Sequence, residues 1–302
     1  MLLKQFCRNL SQEYAIAQIL DPEFLAKEFS NYFEIIIPPF LEKNQVLSLC
    51  EGIGLGYPEA KSLPEKIRGI HYGIDHKYVI NYREDDWDGA VKHTIFHEIY
   101  EIILHILSDH VSGIELSDQQ KETNAHKFAA AVLMPQVLFF EHCIRLSYDP
   151  IELRDLYDQA YLSIMLRMAE VLNNHTYFIG LIAEKESRSN QYMFKYRIIT
   201  QKMKSISDFF SLPIEDSIVN NNTEFGKLAL KTVENKDSIR NYRITHSAWD
   251  GLYEGHFIYN SFPLVTSAGN IYKLFITGIE EKNKNYLRSL VKSAEESFNN
   301  VY

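Results

Sequence analysis

The sequence lacks an excess of basic residues. It has 40 aspartates and glutamates against 31 lysines and arginines, which gives a formal net charge of −9 at pH 7. Non-specific binding to nucleic acid needs clustered lysine and arginine side chains that neutralise phosphates. The charge balance therefore argues against a chain that binds DNA by itself, although it leaves room for a local basic face.

Cysteine is also scarce, and long apolar runs are missing. Cys7, Cys50 and Cys143 are odd in number and widely spaced, so we expect neither a disulfide framework nor a cysteine-based zinc site. No run approaches the roughly 18 apolar residues of a membrane span. Residues 1–20 have no long apolar core and no small-residue cleavage site, so no secretory signal peptide is expected. These features predict a cytoplasmic protein.

What the chain does have is ample apolar material and a change of pattern along its length. Hydrophobic residues make up 46% of 302 positions, enough for two cores. Residues 1–148 are mostly helical in pattern, with two short strands over 69–82, and 149–175 have a helix-turn-helix pattern. Strand-like runs dominate from 176 to about 280, and an amphipathic helix is predicted over 282–300. The predicted fold class is α+β, with domain boundaries near 148 and 175.

The segment that carries chemistry is HTIFHEIYEIILH, residues 93–105. It places ionisable side chains on a helix that is otherwise apolar. On a helix, residues four apart lie on one face, roughly 6 Å apart, so two of them can hold one metal ion. The residue after the first ligand points about 100° round the helix, where a carboxylate can act as a general base. This logic gives His97 and Glu101 as ligands and Glu98 as the base.

Two other interpretations of the segment stay open at this point. His93 and His97 also have the spacing of a ligand pair, but Thr94 then stands where the base is needed. Alternatively, the histidines and acids make ordinary hydrogen bonds or lie at the rim of the helix, and no metal is involved.

A second helix is predicted over residues 118–135, where the segment ETNAHKFAAAVLMP begins with Glu122. A catalytic zinc site needs three protein ligands and one open position. Glu122 can supply the third ligand from this separate helix. The predicted metal set is therefore His97, Glu101 and Glu122.

Together these two segments resemble the ImmA/IrrE family of metallo-endopeptidases. In that family, a helix with His-Glu-x-x-His is followed by Glu-x-x-Ala-Asn-x-Phe-Ala-Ala-x-Leu-Leu-Met-Pro. The resemblance covers roughly residues 40–175, including the strand pair before the first helix and the helix-turn-helix-like segment. The matching positions here are His97, Glu98, His105, Glu122, Ala125, Phe128, Ala129, Ala130, Leu133, Met134 and Pro135.

The sequence departs from the family pattern at two positions. Glu101 stands where the family has its second histidine, and His126 stands where it has asparagine. A second carboxylate weakens the Lewis acidity of the ion, and an oxygen-richer site tolerates Mn²⁺ or Fe²⁺ better relative to Zn²⁺. His126 lies one turn after Glu122 and can be a ligand, a partner of a ligand or a surface residue. His105 lies too far along the helix to share the metal of His97, and His71 is expected on a strand surface.

The resemblance implies a zincin-like peptidase domain over 1–148, a helix-turn-helix-like linker over 149–175 and a sensor-like α+β domain over 176–302, for which GAF is one type. It implies a zinc-dependent endopeptidase that cleaves a helix-turn-helix transcriptional repressor during a stress or mobile-element response. A small molecule or a nucleic acid is the expected signal at the C-terminal domain. Two alternatives are a catalytically impaired peptidase that acts by binding, and a DNA- or protein-binding regulator that uses residues 149–173.

Overall fold

In the computed structural model of this chain, the described residues are 2–36, 41–74, 77–173, 175–189, 191–204, 212–248, 253–283 and 287. They form helices and two β-sheets, which confirms the predicted α+β class. Most of the helix predicted over 282–300 lies outside these ranges.

The chain divides into two compact units. The first consists of Met1–Gln136 with Asp155–Ala160, and the second of Val137–Arg154 with Tyr161–Tyr302. These bounds differ from the predicted ones, because residues 137–148 group with the strand-rich part. The helix-turn-helix-like segment 149–175 is shared between the two units. The division of function between the predicted domains stays a prediction.

The first unit is mainly helical, with one small sheet. Helix α5 is 21 residues long, and it packs against α1, α4 and α6 as well as β2 and β3. A helix that is apolar on nearly every side is stable only inside a core, which explains this central position. The elements are α1 (Leu2–Glu13), α2 (Ile16–Ile19), α3 (Pro22–Tyr32), α4 (Lys43–Gly52), β1 (Glu59–Lys61), β2 (Gly69–Ile74), β3 (Lys77–Arg83), α5 (Asp88–Ser108) and α6 (Asp118–Leu133).

Helix α6 covers Asp118–Leu133, close to the predicted 118–135. The Ser117 side chain accepts a hydrogen bond from the Gln120 backbone N–H, an N-cap that satisfies one of the free amides of the first turn. The helix stops at Leu133, two residues before Pro135, because proline cannot continue a helix. Its buried face packs against α5 and α3.

The small sheet brings β2 beside α5. Its strand order is β1-β3-β2, with β2 antiparallel to β3 and β1 parallel to it. The strand pair predicted over 69–82 is therefore confirmed. His71 pairs with Ile80, and Gly69 pairs with Tyr82.

The second unit is built on a five-stranded antiparallel sheet in the order β5-β4-β8-β7-β6. Helix α11 packs against β6, β7 and β8, and α9 packs against β4 and β5. Strand β6 is the one that the sequence pattern missed. The elements are α7 (Gln136–Arg145), α8 (Pro150–Tyr157), α9 (Tyr161–Leu172), β4 (Phe178–Lys185), β5 (Tyr192–Ile199), α10 (Gln201–Lys204), α11 (Glu224–Asn235), β6 (Ile239–Ala248), β7 (Tyr253–Val265) and β8 (Ile271–Glu280).

Across the described residues, no single helix has the length and apolar character to cross a membrane. The bent pair formed by α6 and α7 does meet the criteria of length and composition.

Gly89 fixes the start of α5 against another part of the first unit. A Cβ atom at this position would lie 1.7 Å from the backbone oxygen of Asp158. Backbone cannot give way as a flexible side chain does, so we expect Gly89→Ala to lower the free energy of unfolding by about 2–3 kcal/mol. Gly52, the last residue of α4, has nothing within 4 Å of the same atom. Gly52→Ala is the matched control and should be neutral or stabilising by up to about 1 kcal/mol. Urea denaturation of both variants measures the difference, and equal losses would contradict this packing.

Candidate metal centre

Three elements of the first unit bring ionisable side chains to one place. Helix α5 supplies His93, His97, Glu98 and Glu101, and α6 supplies Glu122 and His126. Strand β2 adds His71, which the sequence analysis had assigned to a strand surface without a role. Positions four apart on each helix lie on one face, and the packing of α5 against α6 and β2 turns these faces towards one another.

The first group of possible ligands is His97, Glu122 and His126. One donor atom from each lies within 4.8 Å of the other two. Nε2 of His97 is 3.6 Å from Oε2 of Glu122, and Nε2 of His126 is 3.1 Å from Oε1 of Glu122. The Glu122 and His126 side chains are more than half exposed, so one side of this group is open to solvent.

The second group is His71, Glu98 and Glu101, whose donor atoms also lie within 4.8 Å of one another. His71 Nδ1 is 2.7 Å from Glu98 Oε2, a hydrogen bond, and 3.6 Å from Glu101 Oε2. The side chain of Glu98 is only 8% exposed. Glu98 is therefore a buried carboxylate that is held by an imidazole from the neighbouring strand.

Glu101, a member of the second group, also faces His97 of the first group. Its Oε1 is 3.8 Å from Nε2 of His97, while its Oε2 faces His71. Burial, followed by the neighbouring carboxylate of Glu98, raises the pKa of Glu101. The predicted trio of His97, Glu101 and Glu122 is not one of the two groups whose donor atoms all lie within 4.8 Å.

Burial and neighbouring charge set the protonation of the histidines. Burial lowers the pKa of His93 to about 3, and burial together with His126 lowers the pKa of His97. The hydrogen bond that His71 donates to the Glu98 carboxylate raises the pKa of His71. A neutral imidazole is the form that binds a metal ion, so His97 is in the state that a ligand needs.

The surroundings of His97 fit a metal ion. Its side chain is 12% exposed, and its buried Nδ1 has no hydrogen-bond partner among the described residues. The other ring nitrogen, Nε2, faces Glu122 at 3.6 Å and is the donor that an ion would use. Two ligands about 2.0–2.1 Å from a tetrahedral zinc ion are roughly 3.3 Å apart. The contacts of Glu122, at 3.1 and 3.6 Å, lie on either side of that value.

The remaining predicted histidines fall in different places. His93 Nε2 lies 3.1 Å from His126 Nδ1, and the two rings are stacked. His105 lies in the last turn of α5 against the ring of Tyr78 and belongs to neither group.

The role of His71 was missed because it depends on a tertiary contact, yet the sequence holds one signal. In GIHYGI, residues 69–74, glycines flank His71 on the same face of the strand, since residues two apart share a face. Glycine inside a strand often marks the close approach of another element. Here the element is α5, because a Cβ on Gly69 would lie 2.4 Å from Thr94 Cγ2 and 2.9 Å from Glu98 Oε1.

Comparisons with known proteins bear on the fold. No protein-family model and no curated protein matches the sequence. The solved structure of a Mycobacterium tuberculosis transcriptional regulator is similar over 93% of this chain and 94% of that chain, with a TM-score of 0.52 and 13% identity. At that identity the likeness is one of fold alone.

Two further solved structures have lower similarity. One is of a light-oxygen-voltage domain studied with a flavin analogue, with a TM-score of 0.24 and 12% identity over 43% of this chain and 94% of that chain. The other is an RNA-binding light-oxygen-voltage receptor, with a TM-score of 0.24 and 10% identity over 63% of this chain and 71% of that chain. Neither score is high enough to bear on this chain. What the comparisons establish is a fold shared with the mycobacterial regulator.

Proposed function

We propose that this chain is a metal-dependent endopeptidase of the ImmA/IrrE type, and that its substrate is a helix-turn-helix transcriptional repressor. The observation that carries the proposal is the environment of His97. This imidazole is 12% exposed, its Nε2 faces Glu122 at 3.6 Å, and donor atoms of His97, Glu122 and His126 all lie within 4.8 Å of one another. Glu98, the adjacent residue, supplies the buried carboxylate that peptide hydrolysis needs.

A divalent ion held by His97 and Glu122 would polarise the scissile carbonyl and make a water molecule more acidic. Glu122 is 58% exposed, so this side of the group is accessible from solvent, as a peptide substrate requires. Zinc suits a site that contains imidazole nitrogen, and a site tolerates Mn²⁺ or Fe²⁺ better as carboxylate ligands are added.

Glu98 acts as the general base in this proposal. Its carboxylate takes a proton from the attacking water as the new C–O bond forms. The same proton then goes to the leaving amine nitrogen as the C–N bond breaks, so no other co-reactant is required. General-base assistance of this kind is commonly worth about 10²–10⁴-fold in rate.

The orientation of Glu98 is set by strand β2. His71 holds one carboxylate oxygen at 2.7 Å, and Gly69 leaves space for the other. A base held this way is less free to rotate away from the reacting water, which favours a productive geometry.

A regulatory role is part of the proposal. The mycobacterial protein of the same fold is described as a transcriptional regulator, and a peptidase that removes a repressor also acts on transcription. The second unit would receive the signal, either a small molecule or a nucleic acid, that controls cleavage. All three cysteines are buried and free, as suits a reducing cytoplasm.

Loss of the base should separate binding from cleavage. We expect Glu98→Gln to keep its fold and its metal content and to cleave at least about a hundredfold more slowly, because the amide keeps the size but accepts no proton. Purified phage-repressor-type helix-turn-helix proteins, with added Zn²⁺ or Mn²⁺, are the test substrates, and gel analysis gives the rate. Glu115→Gln, an exposed acid outside both groups, is the control and should cleave at the wild-type rate.

Two results would overturn this assignment. Cleavage by Glu98→Gln at the wild-type rate would show that the mechanism is wrong. If the wild type binds a repressor tightly but does not cleave it with any of the metals added, the protein acts by binding and is not a peptidase.

The support of Glu98 by β2 gives a second test. In Gly69→Ala the added methyl group collides with Thr94 and Glu98, so we expect kcat/KM to fall roughly tenfold to a hundredfold with metal content unchanged. Gly73→Ala lies on the same strand, where the nearest contact of the new methyl group among the described residues is the backbone oxygen of Lys77, 4.0 Å away. That variant should match the wild type in activity. Equal activities of the two variants would show that Gly69 has no part in placing the base.

A further inference from the structure

We propose that His126 completes the ion site as its third protein ligand, so that the donors are His97, Glu122 and His126. This inference rests on the proposed function only in requiring that the site takes a divalent ion. It replaces Glu101 of α5 with His126 of α6 as the third ligand, and it gives Glu101 a different partner.

The geometry around Glu122 carries the assignment. Its two carboxylate oxygens face two different imidazoles: Oε2 faces His97 at 3.6 Å, and Oε1 faces His126 at 3.1 Å. The ring centroids of His97 and His126 are 4.7 Å apart. Glu122 and His126 are four residues apart on α6, so they project from one face of that helix.

His93 holds the His126 ring in place for this role. Its Nε2 is 3.1 Å from Nδ1 of His126, and the rings are stacked with centroids 5.4 Å apart. A histidine that binds a metal through one nitrogen usually has its other nitrogen in a hydrogen bond that fixes the ring. The contact with His93 occupies Nδ1 and leaves Nε2 directed at the site.

Glu101 belongs to the neighbouring group instead. Its Oε2 is 3.6 Å from Nδ1 of His71, and its donor atom groups with those of His71 and Glu98. Nε2 of His97 is 3.8 Å from Oε1 of Glu101 and 3.6 Å from Oε2 of Glu122, so the contact with Glu101 is the longer of the two. Glu101 therefore sits against the base and its supporting histidine.

This ligand set changes the chemistry expected of the ion. Two imidazoles and one carboxylate bring one negative charge, whereas His97, Glu101 and Glu122 would bring two. Two histidines and a glutamate form one of the known donor sets of catalytic zinc. With fewer carboxylates the ion stays a stronger Lewis acid, and the preference for zinc over Mn²⁺ increases.

The test compares His126→Asn with Glu101→Gln in the full-length chain. Each protein is stripped with a chelator and titrated with Zn²⁺ against a chromophoric competitor, and the bound metal is counted by mass spectrometry. We expect one ion per wild-type chain, at least a hundredfold weaker binding in His126→Asn, and a change of less than about tenfold in Glu101→Gln. Because the His126 side chain is 56% exposed, its replacement should leave the fold intact, which circular dichroism checks.

Cobalt gives a second measurement that does not depend on affinity. The visible spectrum of bound Co²⁺ should change in His126→Asn, which loses a nitrogen ligand, and stay the same in Glu101→Gln. Unchanged Zn²⁺ affinity in His126→Asn would overturn the proposal, as would a loss in Glu101→Gln that equals or exceeds the loss in His126→Asn. A wild-type chain that binds no ion would overturn it as well.

The results separate this inference from the proposed function. If the ion binds through His126 but no repressor is cleaved, the ligand set is supported and the proposed peptidase function is wrong. If the wild type cleaves repressors and the His126→Asn variant still binds the ion tightly, the peptidase function is supported and the ligand set is wrong.

Discussion

Two buried charged side chains of α5, Lys92 and Glu98, constrain the first unit because each needs a partner. Lys92 donates to the Leu41 backbone oxygen at 3.2 Å and lies 3.4 Å from Asp158. Glu98 pairs with His71. A buried charge that loses its partner costs about 3–5 kcal/mol, so these contacts fix where distant parts of the chain can lie. The need to pair buried charges therefore positions Glu98 in the candidate site as well as Lys92 in the core.

The local parts of the site could be predicted from sequence. Spacing of four residues placed His97 and Glu101 on one face of a helix, and Glu122 was expected to face them from the next helix. Residues 93–105 lie within α5, and α6 formed near its predicted bounds of 118–135, because apolar periodicity and a proline stop are signals carried by neighbouring residues. The pairing of α5 with α6 then followed from their buried faces.

The rest depended on contacts between residues far apart in sequence. His71 reaches Glu98 only because β2 lies against α5; the glycines that flank His71 indicate that some element comes close, but they do not say which one. Spacing in the sequence also could not show which group Glu101 belongs to. Glu101 is four residues from His97, the interval of a ligand pair, yet its second carboxylate oxygen faces His71. The sequence pattern also does not report that residues 137–148, which are helical in pattern, group with the second unit.

The candidate ligands come from two helices: His97 from α5, and Glu122 and His126 from α6. An ion shared between them would act as a cross-link across the loop 109–117. Such an ion adds stability that grows with its free concentration, about 2.7 kcal/mol at a hundredfold excess over Kd. Metal supply would then determine how much folded protein survives in the cell as well as whether it can react. The abundance of this protein would become a readout of metal status.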